Sequence, residues 1–146
     1  MVAINFSVFK DKVLSGKKRQ TIRLCKCEYK VDSDSLKVTR LKKCRWHSLK
    51  KGDKLHLFWR QRRKDCEKLL EATCERVYSI HMGFKRDENE EYGTYWVKYQ
   101  GKRLSDAAIG RLARRDGFKN SYELFRWFDA QYCLNKPKEF RVISWV

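Results

Sequence analysis

The sequence carries one proline, Pro137, and seven glycines among 146 residues, with two methionines and three histidines. So few chain breakers exclude a collagen-like or low-complexity chain, and 42% hydrophobic with 14% aromatic residues argue against a disordered one. No run of about 18 apolar residues is present, so no membrane-spanning helix is expected and no membrane is needed as a partner. The opening Met1-Val2-Ala3-Ile4-Asn5-Phe6 reaches charge at Lys10 without the layout of a secretory signal. The expected location is therefore cytoplasmic, where six cysteines stand as free thiols or metal ligands rather than as three disulfides.

Acidic residues are scarce too: 18 Asp and Glu against 35 Lys and Arg leave a net charge of +17 and a pI near 9.8. That imbalance points to a polyanionic partner, with nucleic acid ahead of an anionic membrane. The charge is uneven. Residues 1–64 hold 20 basic against 5 acidic side chains, net +15, while residues 65–146 hold 15 against 13, net +2. The length suits a single domain over 1–146 with one core, and nothing in the sequence sets an oligomeric state.

Val2 to Phe6 reads as a strand, and Val8, Phe9, Val13 and Leu14 fall at helical spacing before a stop at Gly16. Residues 21–24 are β-like. The polar stretch at about 25–50 reads as a basic insertion whose only β-like piece is Leu36 to Thr39. Strands are expected at Leu55–Trp59 and Leu70–Ile80, the second with Ala72, Cys74, Arg76, Tyr78 and Ile80 on one face. A charged turn at 84–92 precedes a strand at 95–99. A helix follows Ser105, and Asn120 with Glu123 three residues on predicts a capped helix over Tyr122–Tyr132. Alternation from Phe140 to Trp145 predicts a closing strand.

The loop Gly16-Lys17-Lys18-Arg19-Gln20-Thr21-Ile22-Arg23 is the densest group of cations and hydroxyls, able to present N–H groups and charge to a phosphate or to stand as a solvated basic turn. It lacks the second glycine and the Gly-Lys-Ser/Thr ending of a P-loop. Gly16-x-Lys18-x-x-Thr21-Ile22-Arg23, then Lys51-Gly52-Asp53-x-Leu55, then Asp116-Gly117-Phe118 followed by Glu123-Leu124, together resemble the ASCH domain, a family related to PUA domains. The matches run in order through most of the chain, from Ile4-Asn5-Phe6-Ser7 to Phe140–Trp145, apart from the longer stretch 26–43.

The resemblance implies an α+β fold with a small PUA-like β-barrel flanked by short helices, and a cleft that binds nucleic acid or a modified nucleotide. In one branch it implies an amidohydrolase acting on N4-acetylcytidine, with Lys18 as activator, Thr21 as nucleophile, Asp116 as carboxylate and Arg23 as an anion ligand. That branch carries glutamate where Asp116 stands, one methylene longer. Two readings follow. The first is an RNA-binding domain whose basic cleft uses Lys17, Lys18, Arg19, Arg23, Arg45, Arg60, Arg62 and Arg63; the second is such a hydrolase, or a ribonuclease, with Lys18, Thr21 and Asp116 in the same cleft.

Cys25-x-Cys27 and Cys44-x-x-His47 supply four ligands in two close pairs, a set that suits a structural zinc, with unliganded thiols as the alternative. No other cofactor is required. RNA is the expected partner ahead of DNA, and Trp46, Trp59 and Trp96 lie beside cations, as base stacking on single strands asks, although alternate strand residues must also be buried. His56, His81, Cys66, Cys74 and Cys133 lack partner spacing and read as packed or solvated side chains.

Overall fold

A computed structural model describes residues 2–42, 44–86, 88 and 92–146. The elements are β1 (Val2–Phe6), α1 (Lys10–Leu14), β2 (Gln20–Leu24), β3 (Glu28–Val31), β4 (Val38–Lys42), β5 (Lys54–Trp59), β6 (Glu67–Lys85), β7 (Thr94–Tyr99), β8 (Lys102–Arg103), α2 (Asp106–Arg115), α3 (Ser121–Tyr132) and β9 (Lys138–Trp145). Part of the charged turn expected at 84–92 lies outside the described residues.

The 19-residue β6 organises a seven-stranded sheet. Its first third pairs with β5, which pairs in parallel with β1; its middle pairs with β9, which carries β2; its end pairs with β7, which carries β8. β3 and β4 form a separate two-stranded hairpin inside the basic insertion.

The fold is α+β, but the expected barrel is not there. Among the described residues no sheet closes: β1, β2 and β8 each have one strand partner. Closure would need β1 and β2 to share a ladder. The chain instead leaves β1 through α1 and the loop 15–19, so β2 arrives on the far side of β9 and β1 stays beside β5. The gap is bridged by a side chain, Arg23 Nη2 donating to the Asn5 carbonyl at 2.7 Å.

Two cores lie on opposite faces of β9, and its alternation serves both. Phe140 and Val142 join Phe128, Leu124 and Leu112 under α2 and α3, while Ile143 and Trp145 join Ile4, Leu55 and Leu57 under β1 and β5. Burying one such side chain stabilises by about 1.5–3 kcal/mol. The single face predicted along β6 is broken by an irregularity between Cys74 and Arg76: Cys74 enters the second core, Tyr78 and Ile80 the first, and Arg76 is exposed. A bulge swaps faces in this way because it inserts one residue into a period of two.

The helix ends match their sequence signals. Ser105 accepts from the Ala108 N–H and Asn120 from the Glu123 N–H, while Glu123 accepts from the Lys119 N–H at 3.0 Å, so both N-termini are capped by side chains.

Candidate nucleotide site

The site forms in the seam between β1 and β2, where α1, the loop 15–19 and the end of α2 meet. The Lys18 N–H bonds the Lys12 carbonyl at 2.9 Å, which curls the loop back on α1, and the Lys12 ammonium caps the Gly117 carbonyl. Gly117 has φ +104°, and a Cβ there would stand 3.0 Å from the Phe9 ring, so only glycine lets the chain turn out of α2 against that wall.

Lys18, Thr21, Arg23 and Asp116, joined in sequence only by the motif pattern, line one cavity of about 70 Å³ walled by Phe6, Phe9, Phe118, Trp127, Phe128 and Tyr132. Lys18, Thr21 and Asp116 are each at most 4% exposed. The Lys18 ammonium donates to the main-chain carbonyl of Asp116 and stands 3.4 Å from Asp116 Oδ1. That oxygen accepts no hydrogen bond of good geometry and is held by the ion pair with Lys18 alone. Thr21 Oγ1 accepts from Arg23 Nε at 3.1 Å. The rings carry the cations: Lys18 Nζ lies 5.4 Å from the centre of Phe9, and the Arg23 guanidinium 5.2 Å from that of Phe6.

Burial sets the titration of the pair. It pushes the Lys18 ammonium below the usual lysine range, opposed by Asp116, and it raises the Asp116 carboxyl to about 6, opposed by Lys18 and Arg23.

Asn5 and Ser7 also line a second, wider pocket of about 500 Å³ formed with Arg45, Arg60, Arg62, Arg63 and Gln61. The loop that carries the last four is pinned to β1 by Arg60 N–H to the Phe6 carbonyl at 2.9 Å and by Gln61 N–H to Asn5 Oδ1 at 2.7 Å. Arg60 pairs with Asp65 at 3.1 Å, whereas Arg45, Arg62 and Arg63 form no ion pair among the described residues. Arg45 instead donates to the Ala3 carbonyl at 2.7 Å and lies 4.4 Å from the Trp46 ring centre.

The predicted cleft is thus divided. Arg45, Arg60, Arg62 and Arg63 share the arginine pocket and Lys18 and Arg23 the cavity, while Lys17 and Arg19 line a separate groove on the other side of the loop. Trp46 and Trp59 pack against the second core, which favours the burial reading for those rings. Sequence reasoning missed Asn5, whose carbonyl and side chain both serve the site. A polar residue inside the apolar run Val2–Phe6 was its only signal.

Cys25, Cys27, Cys44 and His47 converge into a group that could hold a metal ion, all four ligand atoms lying within 4.8 Å of one another. His47 Nδ1 is 3.2–3.3 Å from each sulfur and Cys44 Sγ is 3.7 Å from Cys25 Sγ. A tetrahedral zinc with bonds of about 2.3 Å to sulfur and about 2.0–2.1 Å to nitrogen sets those separations near 3.5 and 3.8 Å. The Cys44 N–H donates to Cys27 Sγ at 3.2 Å, and His47 Nε2 faces Glu139 at 3.7 Å, the outer carboxylate that orients a metal-bound imidazole. Burial raises the Cys44 thiol, but hydrogen bonds centred on His47 outweigh it and leave the group at about 6.

No protein-family model, curated protein or solved structure matches the chain. No helix among the described residues is long and apolar enough to cross a membrane.

Proposed function

We propose that the protein binds RNA, seating a phosphate among Arg45, Arg62 and Arg63 and directing the group next to it into the cavity of Lys18, Thr21 and Asp116. The observation that carries this reading is the contiguity of the two spaces through Asn5 and Ser7: a cationic pocket wide enough for phosphate opens beside a small, ring-walled polar cavity. Guanidinium groups bind phosphate oxygens in pairs, and aromatic walls accept the flat faces and edges of bases. The cavity has room for about two waters. A substituent on a base fits it; a whole base requires the rings to move. Titration with single-stranded RNA and with DNA of the same sequence tests the reading. Tighter binding of RNA is expected, and no binding of either overturns it.

A second reading, an amidohydrolase, is supported by the enclosed Lys18–Asp116 pair beside Thr21. Thr21 Oγ1 adds to the acyl carbon and its proton passes to a neutral Lys18. Lys18 gives that proton to the nitrogen of the leaving amine, and water then hydrolyses the acyl-threonine, its hydroxyl going to the released acid and its proton back to Thr21 Oγ1, which restores the starting state. Arg23 holds Thr21 Oγ1 before substrate arrives, so the attack requires that contact to be exchanged for one to Lys18.

For the cysteine–histidine group we assign a structural zinc. It joins the start of the insertion, just after β2, to the segment that brings Arg45 and Trp46 over β1, because those two residues lie between the ligands Cys44 and His47.

A further inference from the structure

A basic groove on the other side of the loop 15–19 has no role in the site above. Its main part, about 760 Å³, is lined by Lys17, Arg19, Lys51, Arg76 and Arg115, with Glu75 the one acid. It continues past Arg76, Tyr78 and Arg115 into a pocket of about 180 Å³ that adds Arg111 and Tyr99. These six cations are exposed and none of them forms an ion pair among the described residues. The floor where the two parts join is aromatic. Tyr78 and Tyr99 meet edge to face with centres 5.3 Å apart, the Arg76 guanidinium lies 4.4 Å from the centre of Tyr78, and its Nη2 donates to Tyr99 Oη at 3.4 Å.

Unpaired cations along a groove with a ring platform midway are the parts a single-stranded nucleic acid uses: phosphates track the charge and a base stacks on the arginine or ring. A folded acidic protein would not need the platform, and a duplex would not expose base faces to it. We infer that this groove is a second nucleic-acid site, a track for a single strand running from Lys17 and Arg19 across Arg76 and Tyr78 to Arg111.

The two sites share their walls. Lys17 and Arg19 face the groove while Lys18 between them faces the cavity, and Arg115 faces the groove while the next residue, Asp116, faces the cavity. A strand in the groove therefore passes directly behind the buried pair, so the track holds the polymer while the cavity inspects one group of it. This rests on the nucleic-acid reading above.

The test compares single-stranded RNAs of about 4 and about 12 nucleotides, within the span of single-strand site sizes, on the full chain and on the variant Arg76→Ala/Arg111→Ala/Arg115→Ala. All three side chains are exposed, so the fold should survive, and a thermal melt checks it. For the longer RNA the slope of log affinity against log salt should fall by about 2, at about 0.7 per lost phosphate contact. The shorter RNA, held at the arginine pocket, should lose little. Tyr78→Leu, which keeps an apolar side chain over the core, should weaken the longer RNA severalfold without changing the slope, because it removes stacking and not charge. A triple variant that binds the longer RNA with the wild-type slope and affinity overturns the groove while leaving the arginine pocket standing. A wild-type chain that binds neither RNA overturns both.

Discussion

Lys18 and Asp116 are separated by 98 residues, yet the lysine ammonium bonds the main-chain carbonyl of that same aspartate and lies 3.4 Å from its carboxylate. Both contacts depend on α2 ending where it does: Asp116 takes helical dihedrals as the C-cap, and Gly117 at φ +104° turns the chain away at once. The pair is thus set by a helix terminus and a loop curled back on α1, the two elements that also separate the cavity from the groove.

Gly117→Ala should disturb this arrangement without removing any functional group. The added methyl meets a backbone that L residues rarely adopt and a Phe9 ring at 3.0 Å. A loss of roughly 1–2 kcal/mol in urea unfolding is expected, together with weaker binding at the cavity. Wild-type stability would show that the turn tolerates a side chain.

Asp116 should make stability fall as pH rises from about 4 to about 6. Its carboxyl is raised in the fold from 3.8 to about 6, so in that window the unfolded chain loses its proton first and is favoured. Above about 6 the effect is complete. Asp116→Asn should flatten this component by as much as about 3 kcal/mol between pH 4 and 7, read as the difference between wild-type and variant melts. Identical pH profiles would contradict the burial of that group.

Purified protein should carry close to one zinc per chain by elemental analysis, and Cys44→Ser should lose it. Because Arg45 and Trp46 lie between two of the ligands, the metal-free chain should keep its sheet but bind phosphate-bearing ligands more weakly at the arginine pocket. Full binding by metal-free protein would separate the cluster from the site.

If the chain hydrolyses an N4-acyl cytidine, Thr21→Ala and Lys18→Met should each abolish turnover. RNA binding should survive Thr21→Ala, since a hydroxyl contributes little beside the arginines. Turnover that persists in Thr21→Ala excludes it as nucleophile. Absence of turnover in the wild type on every such substrate leaves the binding reading alone.

What could be read in the sequence was local or carried by spacing. The caps at Ser105 and Asn120, the boundaries of β1 and the convergence of Cys25, Cys27, Cys44 and His47 follow from patterns a few residues long. The meeting of Lys18, Thr21, Arg23 and Asp116 was expected only from the order of motifs. Non-local facts were hidden. An open sheet and a closed barrel use the same strands and differ in whether β1 and β2 pair, which no strand's own pattern encodes. The groove was hidden by arithmetic: residues 65–146 sum to only +2, but folding gathers Arg76, Arg111 and Arg115 on one side. The irregularity between Cys74 and Arg76, with no glycine or proline to mark it, is what allows Arg76 onto that side.

The central claim, that a phosphate sits among the unpaired arginines beside β1, is tested most directly by measuring single-stranded RNA affinity at several salt concentrations for the wild type and for Arg45→Ala/Arg62→Ala/Arg63→Ala. A lost phosphate contact should reduce the log–log salt slope by about 0.7, so the variant should show a slope about 0.7 units shallower and a lower affinity at every salt concentration. An unchanged slope and affinity in a folded variant would contradict the account.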